Sequence, residues 1–550
     1  MANQNNYTTL PVKYRFPSVT AAPGLLPAAL AWLSLLPPLA LAFDGTRLLQ
    51  VLVLTLSAWL WLSCPLRSDR ARAVQALIAG AVAAAFLIDA CVRGFILRTW
   101  GALPDSTMVV SALANTGRAE TSEFLMAYWP GLLQQGALLL FSAVLLAVLL
   151  RRWWSAAARP VQASWWRRAA CVALLLLLLA ALMIKPWRKY HPAVFWPLWA
   201  QQVADTRAQW ERAHLDRAGL RQRAVEQAPA LAPSSPDTLV LILSDSINRA
   251  HLSLYGYPRP TTPRLERRRQ QEAGDFDVFR HPWSADASTV TALGNFFHFG
   301  EPASPSRNHL LALAAAAGYQ TWWISNHDDL AIHRQHAQLA DRERMLNNVP
   351  GRSAASLDHE VLPELERALR SGPGRKLIVI HLLGAHPHYR LRHPPGHAPF
   401  RDVRDAVYRQ LEASGRSAWT RELRNDYDSA IHYHDSVIDR TLELTRTLGG
   451  RAGWVFLSDH GQEVGSVSDH AGHSASSADG YRIPLLLWGA AARAVPDELQ
   501  QLPIRADWLG HSLTRLLGIT WTGYRPERDF LHPAYRWSPP RHPVRIDYLS

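Results

Sequence analysis

The chain has 550 residues and a net charge of +13, from 58 Lys+Arg against 45 Asp+Glu. Only 19% of residues are charged, low for a basic nucleic-acid binder, while 48% are apolar and 22 are tryptophan. Nucleic-acid binding, a disordered chain and a purely soluble enzyme are thereby excluded, and lipid becomes the expected partner. Cys64, Cys91 and Cys171 all lie in or beside apolar runs, so the rest of the chain can hold neither a disulfide framework nor a CxxC zinc site.

Five apolar stretches are expected to span a membrane: residues 24–43, 48–66, 73–92, 131–150 and 169–184. Each is near the ~20 residues that cross a hydrocarbon core. The first follows a polar stretch, contains Pro37-Pro38 and lacks a small-x-small site, so it reads as a span and not a cleaved leader. Lys and Arg cluster around 13–15, 67–72 and 151–168 and are sparser at 47, 93, 98 and 118. That asymmetry predicts a cytoplasmic amino terminus and an outer location for everything after the fifth span. Asp89 is expected to be an interfacial residue. The loop 93–130 is too long for a connector and is expected to contribute to a lipid-facing site. Residues 1–190 are thus read as a membrane domain, and 191–236 as an interfacial helix with a Pro/Ser-rich linker. Trp196, Trp199, Val203 and Trp210 recur at near-heptad spacing. That suits either a helix on the membrane surface or one packed on a globular domain.

From 237 to 550, short β-rich runs alternate with helical segments, the pattern of one α/β domain with a largely parallel sheet. Strands are expected at 238–244, 320–325, 376–383, 453–458 and 483–488. The first four lead into Asp245, Asn326, His386 and Asp459-His460. Ligands of open α/β sheets bind beyond the carboxyl ends of the strands. Alone, each of these residues would read as an ordinary loop residue; their conjunction is the signal. Carboxylates with an imidazole are typical zinc ligands, which makes Asp245, Asp459 and His460 candidates, with Gly461 permitting a sharp turn. Ser288-Thr289 precedes an apolar helical run. Thr289 would offer a hydroxyl that a metal could activate, at a helix start suited to phosphate.

With Ser244-Asp245-Ser246, Asn248-Arg249, Leu254–Pro263, Ile324–Asn326, Gly384–His386, Tyr427-Asp428 and Ser458–Gly461 in place, the sequence resembles the phosphoethanolamine transferases of bacterial inner membranes. It looks closer to the lipopolysaccharide-core or glucan branch than to the lipid A branch. Glu120–Leu125 resembles the family's membrane-proximal acidic motif.

The resemblance implies five transmembrane helices plus an alkaline-phosphatase/sulfatase-like periplasmic domain. It implies Asp245, Thr289, Asp459 and His460 around one zinc ion, or two, with Thr289 as nucleophile. Asn326, Asn248 and Glu120 would contact substrate. His386 and His473, preferred to His470, would bind phosphoryl oxygens, move protons or hold the second zinc. The implied reaction takes phosphoethanolamine from phosphatidylethanolamine to an envelope saccharide: lipopolysaccharide core, lipid A or periplasmic glucan. Two departures stand out. Asp245 replaces the family's usual glutamate, and the cysteine-free outer domain lacks the disulfides of the lipid A branch. A phosphoglycerol transferase of the same fold and a metal-free membrane-bound binding protein are the alternative readings.

Overall fold

The computed structural model describes residues 25–550 apart from 64–67, 117, 158–164, 185–188, 214–215, 273, 301–306, 328, 348–356, 449–450 and 490–494. It divides into two compact units, Met1–Gly94 with Leu133–Trp196 and Phe95–Leu132 with Pro197–Ser550. The first helices in chain order are α1 (Leu25–Leu33), α2 (Leu36–Ala42), α3 (Gly45–Ser63), α4 (Asp69–Trp100), α5 (Thr107–Asn115), α6 (Arg118–Ala157) and α7 (Trp165–Ile184).

Among the described residues, Gly45–Leu62, Asp69–Trp100 and Tyr128–Ala156 are long and apolar enough to cross a membrane. They meet the second, third and fourth expected spans. The first is broken into α1 and α2, with proline in the first turn of α2, where its ring cannot continue a preceding helix. The last corresponds to α7, a helix of 20 residues. Much of the basic sequence behind the orientation, at 13–15, 67 and 158–164, lies outside the described residues. Asp89 is fully buried within the protein and accepts from Arg93 Nε at 2.8 Å, while the Arg93 guanidinium lies 3.6 Å over Phe195. A carboxylate cannot stay charged in such surroundings unless paired.

Among the described residues, the second unit is built on a central sheet of seven strands: β1 (Thr238–Ser244), β2 (Phe276–Val278), β3 (Gln320–Ser325), β4 (Arg342–Met345), β5 (Lys376–His381), β6 (Ala452–Ser458) and β7 (Leu485–Gly489). Their order is β2-β7-β6-β1-β5-β3-β4, and only β7 runs against the others. Alternation divides the core into two layers. Leu239, Leu241, Leu243, Val379 and Val455 join one cluster, while Val240, Ile242, Ile378, Trp454 and Phe456 join the other.

Helices α8 (Pro192–Ala213) and α9 (Arg217–Glu226) precede the sheet. Trp210 packs with Ala114 and Ala331, and Leu220 and Ala224 join the first core layer, so this segment packs on the globular domain. After β1 come α10 (Pro263–Gln271), α11 (Thr289–Phe297), α12 (Leu310–Ala316), α13 (Leu330–Gln335), α14 (Leu362–Arg370), α15 (Ala406–Ala413) and α16 (Ala418–Arg446). Helices α11 and α12 cover one face of the sheet, and α14 and α16 the other.

Candidate active site

Strand β6 pairs in parallel with β1, with Ser458 opposite Ser244. The residues that follow, Asp459 and Asp245, therefore emerge side by side at the carboxyl edge. Two backbone features hold them there. Gly384 has φ +56°, and a Cβ on it would lie 2.3 Å from Ser244 Oγ. Gly461 serves close approach, since its Cβ would lie 2.1 Å from the Asp479 carbonyl oxygen. That close approach, where the sequence suggested a sharp turn, is what excludes a side chain.

Thr289 opens α11, and its Oγ1 donates to Asp245 Oδ2 at 2.9 Å and lies 3.4 Å from His460 Nε2. His460 Nε2 is 3.5 Å from Asp459 Oδ2, an oxygen that is buried without a hydrogen-bond partner among the described residues. His473 faces the same space, its ring 4.7 Å from His460 and 5.9 Å from His386. His470 instead contacts the His473 backbone oxygen at 3.1 Å.

Two expected substrate contacts, Asn326 and Asn248, make hydrogen bonds within the protein. Asn326 Nδ2 donates to Asp358 Oδ1, which also receives the Leu383 N–H, so this amide supports the loop leading to His386. Asn248 caps a short turn through Ala250 N and donates to the Gln462 carbonyl oxygen. The side chain of Glu120 lies outside the described residues. Sequence reasoning missed His327, whose Nε2 lies 3.2 Å from Asp245 Oδ2 and whose ring stacks on His381. The signal was there: His327 follows Asn326 at the same strand end.

Electrostatics suit a cation. Burial works to raise the Asp245 carboxyl, but the His327 hydrogen bond and the neighbouring His460 charge outweigh it and hold it well below the usual range. Burial and the Asp245 charge push Asp459 up to about 7. Two adjacent buried carboxylates cannot both ionise cheaply; a dication lets them. Asp245, Asp459 and His460 place one ligand atom each within 4.8 Å of one another, as do Asp245, His327 and His386. This carboxylate–imidazole donor set fits zinc. Burial also lowers His386 well below 6.5 and His473 to about 3, so both are neutral imidazoles near pH 7.

A cavity of about 200 Å³ opens onto Thr289, His327, His386 and His473. Its other wall comes from the 95–132 segment through Trp100, Met108, Leu113, Thr116, Phe124 and Tyr128. The segment is tied down by Arg392 Nη2 donating to Glu123 Oε2 at 2.6 Å and by Tyr128 OH to the Ala471 oxygen at 3.3 Å.

Residues 237–519 match the model of the sulfatase family, whose description is "Sulfatase". The chain belongs to the sulfatase family. Within it, the chain is 29% identical over 338 residues to phosphoethanolamine transferase EptC of Escherichia coli K12, and 28% identical over 337 residues to CptA of Salmonella typhimurium. These matches cover 57% of this chain, and 58% and 57% of those relatives' own length. The solved periplasmic domain of E. coli EptC in complex with Zn is similar at TM-score 0.53 and 28% identity, over 58% of this chain and 96% of that one. Full-length EptA of Neisseria meningitidis shares the fold at TM-score 0.56 and 18% identity, over 93% of this chain and 98% of that one. The sulfatase-family assignment bears out the alkaline-phosphatase-like domain at 237–519, and the phosphoethanolamine transferases are its homologues.

Proposed function

We propose that the protein is a zinc-dependent phosphoethanolamine transferase of the bacterial inner membrane, with its amino terminus cytoplasmic and its catalytic unit periplasmic. The donor is phosphatidylethanolamine and the acceptor an envelope saccharide. The observation that carries this reading is the Thr289 hydroxyl, 2.9 Å from Asp245 at the start of a helix and open to an apolar-walled cavity. The EptC and CptA relatives supply the head group, and the zinc complex of the EptC domain supports the metal.

Asp245, Asp459 and His460 would hold the zinc beside Thr289. When bound, zinc supplies Lewis-acid stabilisation of the Thr289 alkoxide and of phosphoryl charge. Asp245 accepts the Thr289 hydrogen bond and aligns Oγ1 for attack on the donor phosphorus. The phosphorus–Oγ1 bond forms as the bond to the glycerol oxygen breaks, and the proton given up by Thr289 leaves on the diacylglycerol hydroxyl. The unpaired N–H groups of the first α11 turn face phosphoryl oxygen. In the second step the acceptor hydroxyl attacks the same phosphorus. Neutral His386 or His473 takes its proton, and Thr289 regains one as the phosphorus–Oγ1 bond breaks. The apolar wall formed by Trp100, Met108 and Phe124 excludes water, which favours transfer over hydrolysis.

The test is incubation of zinc-loaded, full-length protein with liposomes of phosphatidylethanolamine or phosphatidylglycerol, followed by peptide mass mapping. A phosphoethanolamine adduct on Thr289 is expected. A phosphoglycerol adduct would establish the alternative head group, and an adduct on Ser288 would displace the nucleophile.

A further inference from the structure

At the far end of α11 from Thr289, three imidazoles meet. His298 follows α11, His309 precedes α12 and His336 follows α13, and one nitrogen of each lies within 4.8 Å of the other two. His298 and His309 sit opposite one another in a short antiparallel ribbon, with ring centroids 4.8 Å apart. His309 Nε2 is 2.9 Å from His336 Nδ1, and Phe297 stacks parallel to the His309 ring. His309 and His336 are fully buried, and His298 is half-buried.

Their hydrogen-bond partners assign the protons. His298 Nδ1 lies 2.9 Å from the Gly294 carbonyl, which can only accept, so Nδ1 is protonated and Nε2 carries the lone pair. Leu311 N–H donates to His309 Nδ1 at 3.1 Å, so the His309 proton sits on Nε2 and is given to His336 Nδ1. Among the described residues, His336 Nε2 is buried with no hydrogen-bond partner, so the cluster's own hydrogen bonds do not complete it. Burial pushes His298 down to about 4, and His309 and His336 well below 6.5. All three are therefore neutral near pH 7, the form in which imidazole binds metal.

We propose that His298, His309 and His336 form a second metal site, separate from the Asp245 cluster, that takes a divalent first-row transition ion, zinc first. An all-imidazole set suits zinc, copper or nickel and offers nothing to magnesium or calcium. A single proton now sits between His309 and His336 where a cation could. For a neutral ring to ligate, that proton moves from His309 Nε2 to Nδ1, and the Leu311 N–H loses its acceptor; no proton is released. One lost capping bond is small beside the affinity of three imidazoles. The positive charges of Arg307 and Arg223 oppose a cation here. Arg223 is neutralised by Asp216 at 2.7 Å. The bound ion would cross-link the ends of α11, α12 and α13 in a unit that has no cysteine after residue 171, and so steady the helix that presents Thr289.

The test uses full-length protein in detergent, dialysed against zinc, with metal counted by elemental analysis. Asp245→Asn with His460→Gln removes the carboxylate shared by both ligand groups of the catalytic cluster and so empties it; this variant should still retain a single equivalent of zinc and give the visible bands of tetrahedral Co2+ on titration. Adding His298→Gln, at the least buried of the three positions, should remove both. Alone, His298→Gln should lose one equivalent, lower the melting temperature and keep the catalytic metal. Cu2+ resonance spectra of wild type and His298→Gln give a readout independent of folding in the catalytic variant, with the expected loss of a multi-nitrogen signal. Absence of zinc and of Co2+ bands from the first variant, or equal metal content in His298→Gln and wild type, would overturn the site. Retention of Cu2+ but not Zn2+ would overturn zinc as its occupant.

Discussion

Glu123 and Arg392 form an ion pair at 2.6 Å with side chains 5% and 3% exposed, joining the start of α6 to the loop beyond His386. A buried pair that loses one partner leaves an uncompensated charge, at a cost of about 3–5 kcal/mol, whereas an apolar pair of similar size is often neutral. Glu123→Ala should therefore lower the melting temperature and slow transfer from bilayer phosphatidylethanolamine. Turnover of a short-chain, water-soluble donor should suffer less, because the 95–132 segment forms the apolar wall and not the ligand set. Glu123→Leu with Arg392→Leu should recover much of the stability. Thermal unfolding and rates on both donors check this; identical behaviour of Glu123→Ala and wild type would refute it.

Thr289→Ala should abolish adduct formation and reduce transfer on the order of 10⁴-fold or more, as expected for loss of a nucleophile. Stability should change by only about 1 kcal/mol, since a single hydrogen bond to Asp245 is lost. Urea unfolding beside transfer rates separates the two effects. A variant that retains substantial transfer would remove Thr289 from the chemistry.

His327→Ala should weaken zinc binding by about 10–100-fold, because a group that hydrogen-bonds a ligating carboxylate orients it for the metal. Competition with a chelator measures this directly. Unchanged affinity would leave His327 without influence on the metal.

Asp405 carries a testable pH dependence. Burial works to raise its carboxyl, but the Arg259 hydrogen bonds at 2.8 and 2.9 Å and the Tyr408 N–H outweigh it and lower it. With the folded value depressed, its stabilisation is full above the unfolded value near ~3.9 and is lost as pH falls through the folded value. Asp405→Asn, which keeps an α15 cap but removes the charge facing Arg259, should cost up to about 1 kcal/mol at pH 7 through the partly exposed ion pair. The gap to wild type should close on acidification. Urea melts across pH decide it; a gap independent of pH would mean the charge contributes nothing.

Much of the α/β unit was legible because strands and apolar runs are properties of local pattern. The expected strand 238–244 coincides with β1, and 320–325 with β3. Missed were β2, only three residues long, and β4, whose Arg-Glu-Arg-Met pattern is mostly exposed at the sheet edge and lacks the apolar signal. The packing of α8 and α9 depends on contacts distant in sequence.

By itself the sequence determined which residues arrive at the carboxyl edge: Asp245, Asn326-His327, His386 and Asp459-His460. Tertiary structure decided which of them face the site. Successive residues of an extended chain point to opposite sides, so of Asn326 and His327 one turns to Asp358 and the other to Asp245. Asn248 shows the same limit, its amide spent on Ala250 N and the Gln462 carbonyl. Composition and spacing place a polar side chain to within a residue; its partner, which sets its direction and charge, comes from another strand or helix.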